Sequence, residues 1–350
     1  MGSRKVINLA LQGGGAHGAF TWGALDRLLQ DTRIEIEGIT ATSAGAMNAA
    51  ALKAGWVAGG REGARAMLSD FWTEISAHTV VPNDALQGWL SATSPAPEIF
   101  SRIVAMSPGY FTLDTLSRLF SPYEFNPLNF HPLRPVVTRM LDFDKVCADP
   151  GPRLFISATN VRSGKIKIFS GKDISPDVLL ASACLPTLYQ AVEIEDPDTG
   201  LLEAYWDGGY MGNPALFPLF YETQTADIMI VHINPIYRED LPTSASDILN
   251  RINEISFNSS LLRELRSIDF VQRLLEHGKL SKGSMKNVLI HSIMDDTLMN
   301  KLSAGTKMTP NRGLLETLRD AGAARMDSFL ATHFDALNTH GTVDLRAMFD

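Results

Sequence analysis

Cysteine is scarce: Cys147 and Cys184 are the only two in 350 residues. Two cysteines make no disulfide framework, and neither has the spacing of a metal-ligand set. A chain of this kind suits a reducing cytoplasm. Basic clusters are also missing. Lys and Arg total 31 against 39 Asp and Glu, for a net charge of −8. That speaks against nucleic acid as a partner and against strong electrostatic anchoring to an acidic membrane, while leaving transient contact with a lipid surface open. No apolar run is long enough to span a bilayer. The first apolar stretch is interrupted by Asn8 and runs into glycine, so it reads as a strand and not as a signal peptide. Gly2 is present, but Val6 breaks the myristoylation pattern. Repeats, low-complexity tracts and obvious linkers are absent too.

Apolar residues make up 45% of the chain and charged residues 20%, the balance of an ordinary globular protein with ample core. The length suits one large α/β domain or two modest ones. Strand-like runs at 6–11, 34–42, 153–160, 165–169, 192–194, 203–206, 228–233 and 288–293 alternate with helical patterns. One such pattern, over 61–76, places Ala64, Met67, Leu68, Phe71 and Ile75 on one face. A long one carries Ile248, Ile252 and Ile255, then Leu262, Leu265 and Leu274. The alternation predicts a mostly parallel sheet covered by helices on both faces. Residues 79–144 break the rhythm with recurring prolines among aromatics such as Trp89, Phe100, Tyr110, Phe111 and Phe130. They read as short helices and loops, either a lid-like insertion or an irregular excursion of the same domain. Residues 5–345 are expected to form a single domain, with 215–345 extending the same sheet.

The strand over 34–42 ends at Ser43, and a run of small helix formers starts at Ala44. A serine at a sharp strand-to-helix switch, between small neighbours such as Ala41 and Gly45, has the pattern of a nucleophile elbow. The following helix would aim its N-terminus at developing negative charge. The competing reading is a plain N-cap.

The first strand runs into Gly13-Gly14-Gly15-Ala16-His17-Gly18. Gly13, Gly15 and Gly18 satisfy the G-x-G-x-x-G of a dinucleotide site, but that site wants a carboxylate at the end of the second strand. Here Thr42 and Ser43 stand there, and Glu35 and Glu37 sit at the opposite edge. If the two strands are parallel neighbours, the loop lies beside Ser43 with its backbone N–H groups unobstructed, which suits an oxyanion hole. No cofactor or metal is called for.

Asp207 follows the strand over 203–206 and precedes Gly208 and Gly209, with Asn213-Pro214 just beyond. Alone it would read as an Asp-Gly turn. The glycine loop, Ala41-Thr42-Ser43-Ala44-Gly45, Ala181-Ser182-Ala183-Cys184-Leu185-Pro186 and Asp207-Gly208-Gly209 together resemble the patatin-like phospholipases, in order and in separation, over residues 6–214. The resemblance implies a three-layer α/β/α fold and a lipid acyl hydrolase with a Ser–Asp dyad. Ser43 is then the nucleophile and Asp207 the base. Gly13, Gly14, Gly15 and Ala16 form the oxyanion hole, with His17, Gly45, Gly208 and Gly209 in support. The expected substrate is a phospholipid or another lipid ester, met by a cytoplasmic enzyme or one peripheral at membranes. The family usually carries Arg or Lys where this chain has His17, and Gly where it has Ala41. Weaker readings are a regulatory or scaffold member of the same fold, a dinucleotide-binding protein, and a Ser-His-Asp triad completed by His232 or His291.

Overall fold

The computed structural model describes residues 4–77, 96–105, 107, 112, 115–116, 119–281 and 283–349. Much of the expected insertion, including Trp89, Tyr110 and Phe111, lies outside the described residues. Its described part forms short helices such as Pro97–Ala105 and Leu133–Met140.

The chain opens with β1 (Lys5–Leu11), a 3-10 turn (Gly15–Gly18), α1 (Ala19–Gln30), β2 (Ile34–Ala41) and α2 (Ala44–Ala77). The glycine-bearing stretch from Gly55 to Gly60 interrupts the helical pattern in sequence, and the non-helical angles fall at its end, at Gly59 and Gly60. Gly55 does not break the helix because it fills a close crossing, where a Cβ would overlap the Gly63 carbonyl. After the insertion come β3 (Arg153–Asn160), β4 (Ile166–Ser170), α3 (Pro176–Ser182), β5 (Val192–Glu195), β6 (Leu202–Asp207) and α4 (Phe217–Glu222). The remainder holds β7 (Asp227–Val231), α5 (Ala245–Glu276), β8 (Leu289–Ile293), α6 (Ala304–Lys307) and α7 (Arg312–His333).

The strands form one sheet in the order β5-β6-β3-β2-β1-β7-β8, with β4 paired to β3. The β1–β2, β2–β3, β1–β7 and β7–β8 ladders are parallel. The ladders of β3 with β4 and β6, and of β5 with β6, are antiparallel. The central strands read as continuous apolar runs because both faces are covered. Ile7, Leu9 and Leu11 of β1, with Met229 and Val231 of β7, enter a large core shared with α1, α2 and α7. Ala10, Ile228 and Ile230 point the other way, against Leu261 and Leu265 of α5 and Leu219 of α4. The polar interruption at Asn8 has a buried partner: its side-chain amide donates to Thr223 Oγ1 at 2.8 Å.

One pattern in the sequence misleads. Ile248, Ile252 and Ile255 of α5 face outward, each more than 40% exposed, while Glu254 and Asn258 face inward. The inward face of this part of α5 is polar because it meets loops at the end of the sheet and not the apolar core.

Candidate active site

Ser43 sits where β2 hands over to α2. Its φ is +53°, a left-handed angle that costs a non-glycine residue of order 1 kcal/mol or more. A capping serine typically takes extended angles, and Ser43 does not. The strain is held in place from several sides. The Ser43 N–H donates to Ser182 Oγ at 2.8 Å, and the N–H of Met47 donates to the Ser43 carbonyl at 3.1 Å. At Gly45 a Cβ would overlap the Leu11 carbonyl oxygen, so the turn can lie flat against β1 only with glycine there.

Asp207 reaches Ser43 although β3 lies between their strands. Beyond Asp207 the chain crosses the end of β3 at Gly208, where any Cβ would collide with the Ser157 carbonyl. It is then pinned to β2 by two threonines. Thr42 Oγ1 donates to the Gly212 carbonyl and Thr40 Oγ1 to the Ala215 carbonyl, each at 2.7 Å. Thr159 Oγ1 holds the Asp207 carbonyl at 2.8 Å, and the Asp207 N–H donates to the Cys184 carbonyl at 2.8 Å.

The Asp207 carboxylate is 1% exposed and accepts the Gly209 N–H at 2.7 Å. The Asp-Gly turn is therefore real, but it engages one part of the carboxylate only. The Ser43 side chain also acts on the carboxylate, favouring its charged form. Burial pushes the carboxyl up from 3.8 to about 7, and the Gly209 N–H and the Ser43 side chain hold it down only in part.

The glycine loop lies beside Ser43, as parallel pairing of β1 and β2 requires. A Cβ on Gly13 would stand 2.5 Å from that of Ser43. Gly13 itself leaves the set of expected oxyanion donors, because its N–H already donates to Asn213 Oδ1 at 2.6 Å. Among the described residues, the N–H groups of Gly14, Gly15 and Ala16 have no acceptor.

His17 is buried, its Nε2 2.8 Å from Thr306 Oγ1. Burial, then the charges of Lys307 and Arg238, hold its pKa well below the usual histidine range, so it is neutral at pH 7. Neither alternative histidine is hydrogen-bonded to Ser43 or Asp207 among the described residues. His232 is buried and kept neutral by desolvation, with a pKa of about 4. His291 pairs with Asp227 Oδ1 at 2.9 Å, at the start of β7. The Glu37 carboxylate accepts the N–H groups of Gln224 and Thr225 at 2.6 and 2.8 Å, at the far edge of the sheet from the glycine loop. That leaves the dinucleotide reading without its acidic partner. Among the described residues no cluster of His, Cys, Asp and Glu could hold a metal ion.

A family model of patatin-like phospholipases matches residues 9–220, from β1 to α4, a stretch that holds Ser43, the glycine loop and Asp207. The chain belongs to the patatin-like phospholipase family. Membership implies a hydrolase of lipid esters. Among solved structures, VipD from Legionella pneumophila is similar at 13% identity and a TM-score of 0.40, over 93% of this chain and 67% of that one. No curated protein matches the chain. Among the described residues no helix is long and apolar enough to cross a membrane.

Several residues of the site were not legible in advance. Ser182 belongs to a motif the sequence displays, but its role needs the fold. Gln12, Asn213, Asn234 and Asn258 brace the glycine loop through contacts more than 20 residues apart in sequence. Ser182→Ala leaves the buried Ser43 N–H without an acceptor. The expected cost is about 1–3 kcal/mol of stability, with a lower kcat as the elbow relaxes. Thermal unfolding and ester hydrolysis measured on the same preparation check this.

Proposed function

We propose that the protein cleaves the acyl esters of lipids through a Ser43–Asp207 dyad and an acyl-enzyme. The buried, raised Asp207 carboxylate standing against the Ser43 hydroxyl carries this reading. Serine is a poor nucleophile until a base takes its proton. A carboxylate raised to about 7 is basic enough to assist near neutral pH, where one at 3.8 would be far weaker.

In the first half-reaction the Ser43 proton passes to Asp207 as Oγ bonds to the ester carbonyl carbon. The negative charge on the carbonyl oxygen is met by the N–H groups of Gly14, Gly15 and Ala16 and by the N-terminus of α2. The tetrahedral intermediate collapses, the C–O bond to the alcohol breaks, and Asp207 returns the proton to the leaving oxygen. Water then attacks the acyl-enzyme by the same route in reverse, releasing the fatty acid. An ester leaving group needs less protonation than an amide nitrogen, so a dyad without histidine suits esters.

The described part of the insertion contacts the segment between Ser182 and β5, which supports its reading as a lid-like insertion. His131 stacks on Tyr189 at 4.1 Å, and the Gln190 side chain donates to the Asn126 carbonyl at 2.9 Å. Because β7 and β8 continue the sheet, residues 5–345 form one hydrolase unit in this reading. The expected outcome is release of free fatty acids from a mixed lipid extract, followed by mass spectrometry. An unchanged extract with folded protein would refute the assignment and favour a member of the fold that has lost turnover.

A further inference from the structure

We propose that Lys307 is a positioning residue for the glycine loop, holding it in the geometry and the field that a developing oxyanion requires. This rests on the hydrolase reading above. It concerns a segment that lies beyond the family match, which ends at residue 220.

The short helix α6 grips the loop at three points. Thr306 Oγ1 meets the His17 ring at 2.8 Å. The Lys307 backbone carbonyl lies so close to Gly15 that a Cβ there would overlap it, and Gly15 has φ +59°. The Lys307 ammonium donates to Asn234 Oδ1 at 3.0 Å, and Asn234 Nδ2 donates to the Gly13 carbonyl at 2.8 Å. Asn234 is itself fixed, since its N–H donates to Gln12 Oε1 at 3.0 Å. The chain of contacts therefore runs from a cation to the first peptide of the loop.

The Lys307 ammonium is not tightly paired with a carboxylate. Glu254 is the nearby carboxylate, and Arg238 takes it with two hydrogen bonds of 2.7 and 2.8 Å. Arg251 adds a third at 3.3 Å, while Lys307 stands at 3.7 Å. Three cations meet the one carboxylate of Glu254, while Asp247 and Asp296 act on Arg238 from further off. The field reaches the loop, since both Lys307 and Arg238 act to keep His17 from gaining a proton. His17 is neutral and cannot supply a charge there; Lys307 can in its protonated form, which burial disfavours and Glu254 supports. In a partly desolvated site such a field is felt more strongly than in water.

The test compares wild type, Lys307→Met, Lys307→Arg and Asn234→Ala. Each is assayed for kcat and KM on a nitrophenyl ester and for inhibition by an alkyl trifluoromethyl ketone. Ser43 Oγ adds to the ketone carbon of this inhibitor, giving an oxyanion, and the Ser43 proton passes to Asp207. Lys307→Met and Asn234→Ala should lower kcat by about 10²-fold, the scale of a misplaced catalytic group. KM should stay near wild type, the ketone should bind more weakly in the same proportion as kcat falls, and Lys307→Arg should recover most of the loss. Wild-type kcat and ketone affinity in Lys307→Met overturns the inference, as does a fall in kcat with unchanged ketone binding. If Lys307→Met fails to fold by circular dichroism, Asn234→Ala decides, and wild-type parameters there overturn the inference. A folded wild type that neither turns over nor binds the ketone overturns both the hydrolase reading and the inference.

Discussion

Replacing Ser43 with alanine is expected to lower ester hydrolysis by about 10⁴-fold or more, the scale seen when a nucleophile is removed from a cooperating catalytic set. The loss should fall on kcat, because the acyl-enzyme cannot form, and KM should change little. The fold should survive. The Ser43 N–H keeps its acceptor at Ser182, and the left-handed backbone is as demanding for alanine as for serine. Steady-state kinetics with circular dichroism on the same sample checks both parts. A variant that keeps a tenth of wild-type activity would mean that Ser43 is not the attacking group.

Asp207→Asn is expected to trade activity for stability. Hydrolysis should fall by a factor of about 10⁴, by analogy with an orienting or basic carboxylate made neutral. Stability should move the other way, and the sign follows from the raised pKa. Asp207 binds a proton more tightly folded than unfolded, so its favourable contribution is complete below about 3.8 and is lost as pH rises through about 7. Above pH 7 the wild type carries a buried charge that asparagine lacks. The roughly three-unit shift converts to at most about 4 kcal/mol in favour of the variant, and the gap should close as pH falls from 7 toward 4. The wild-type activity profile should mirror this, with kcat/KM rising through a midpoint near 7 and levelling above it. Thermal unfolding of both proteins at pH 5 and pH 8 reads the first effect. An Asn variant no more stable than wild type at pH 8 would contradict the buried, raised carboxylate.

The parts of the site that sequence displays are those in which backbone chemistry dictates the residue. Gly45 and Gly208 are glycine because the carbonyl of a distant segment occupies the Cβ position, and such demands leave visible motifs. The apolar runs of β1 and β7 were legible for a similar reason, since both faces are buried. The supports of the glycine loop were not legible. Asn213, Asn234 and Lys307 are ordinary polar residues until the sheet brings their segments together, and no local period marks them. The isoleucines of α5 show the opposite failure. A helical apolar stripe suggests a buried face, yet Ile252 and Ile255 point outward because the inward positions Glu254 and Asn258 hold the polar end of the sheet. Gly13 fits the glycine pattern, but only the fold reveals that Asn213 already takes its N–H.

The central claim is that Asp207 activates Ser43, and the site and rate of fluorophosphonate labelling test it most directly. The expected result is a single adduct on the peptide that holds Ser43, formed rapidly by wild type at pH 8 and far more slowly by Asp207→Asn. An adduct on another residue, or equal labelling rates in the two proteins, would contradict the account.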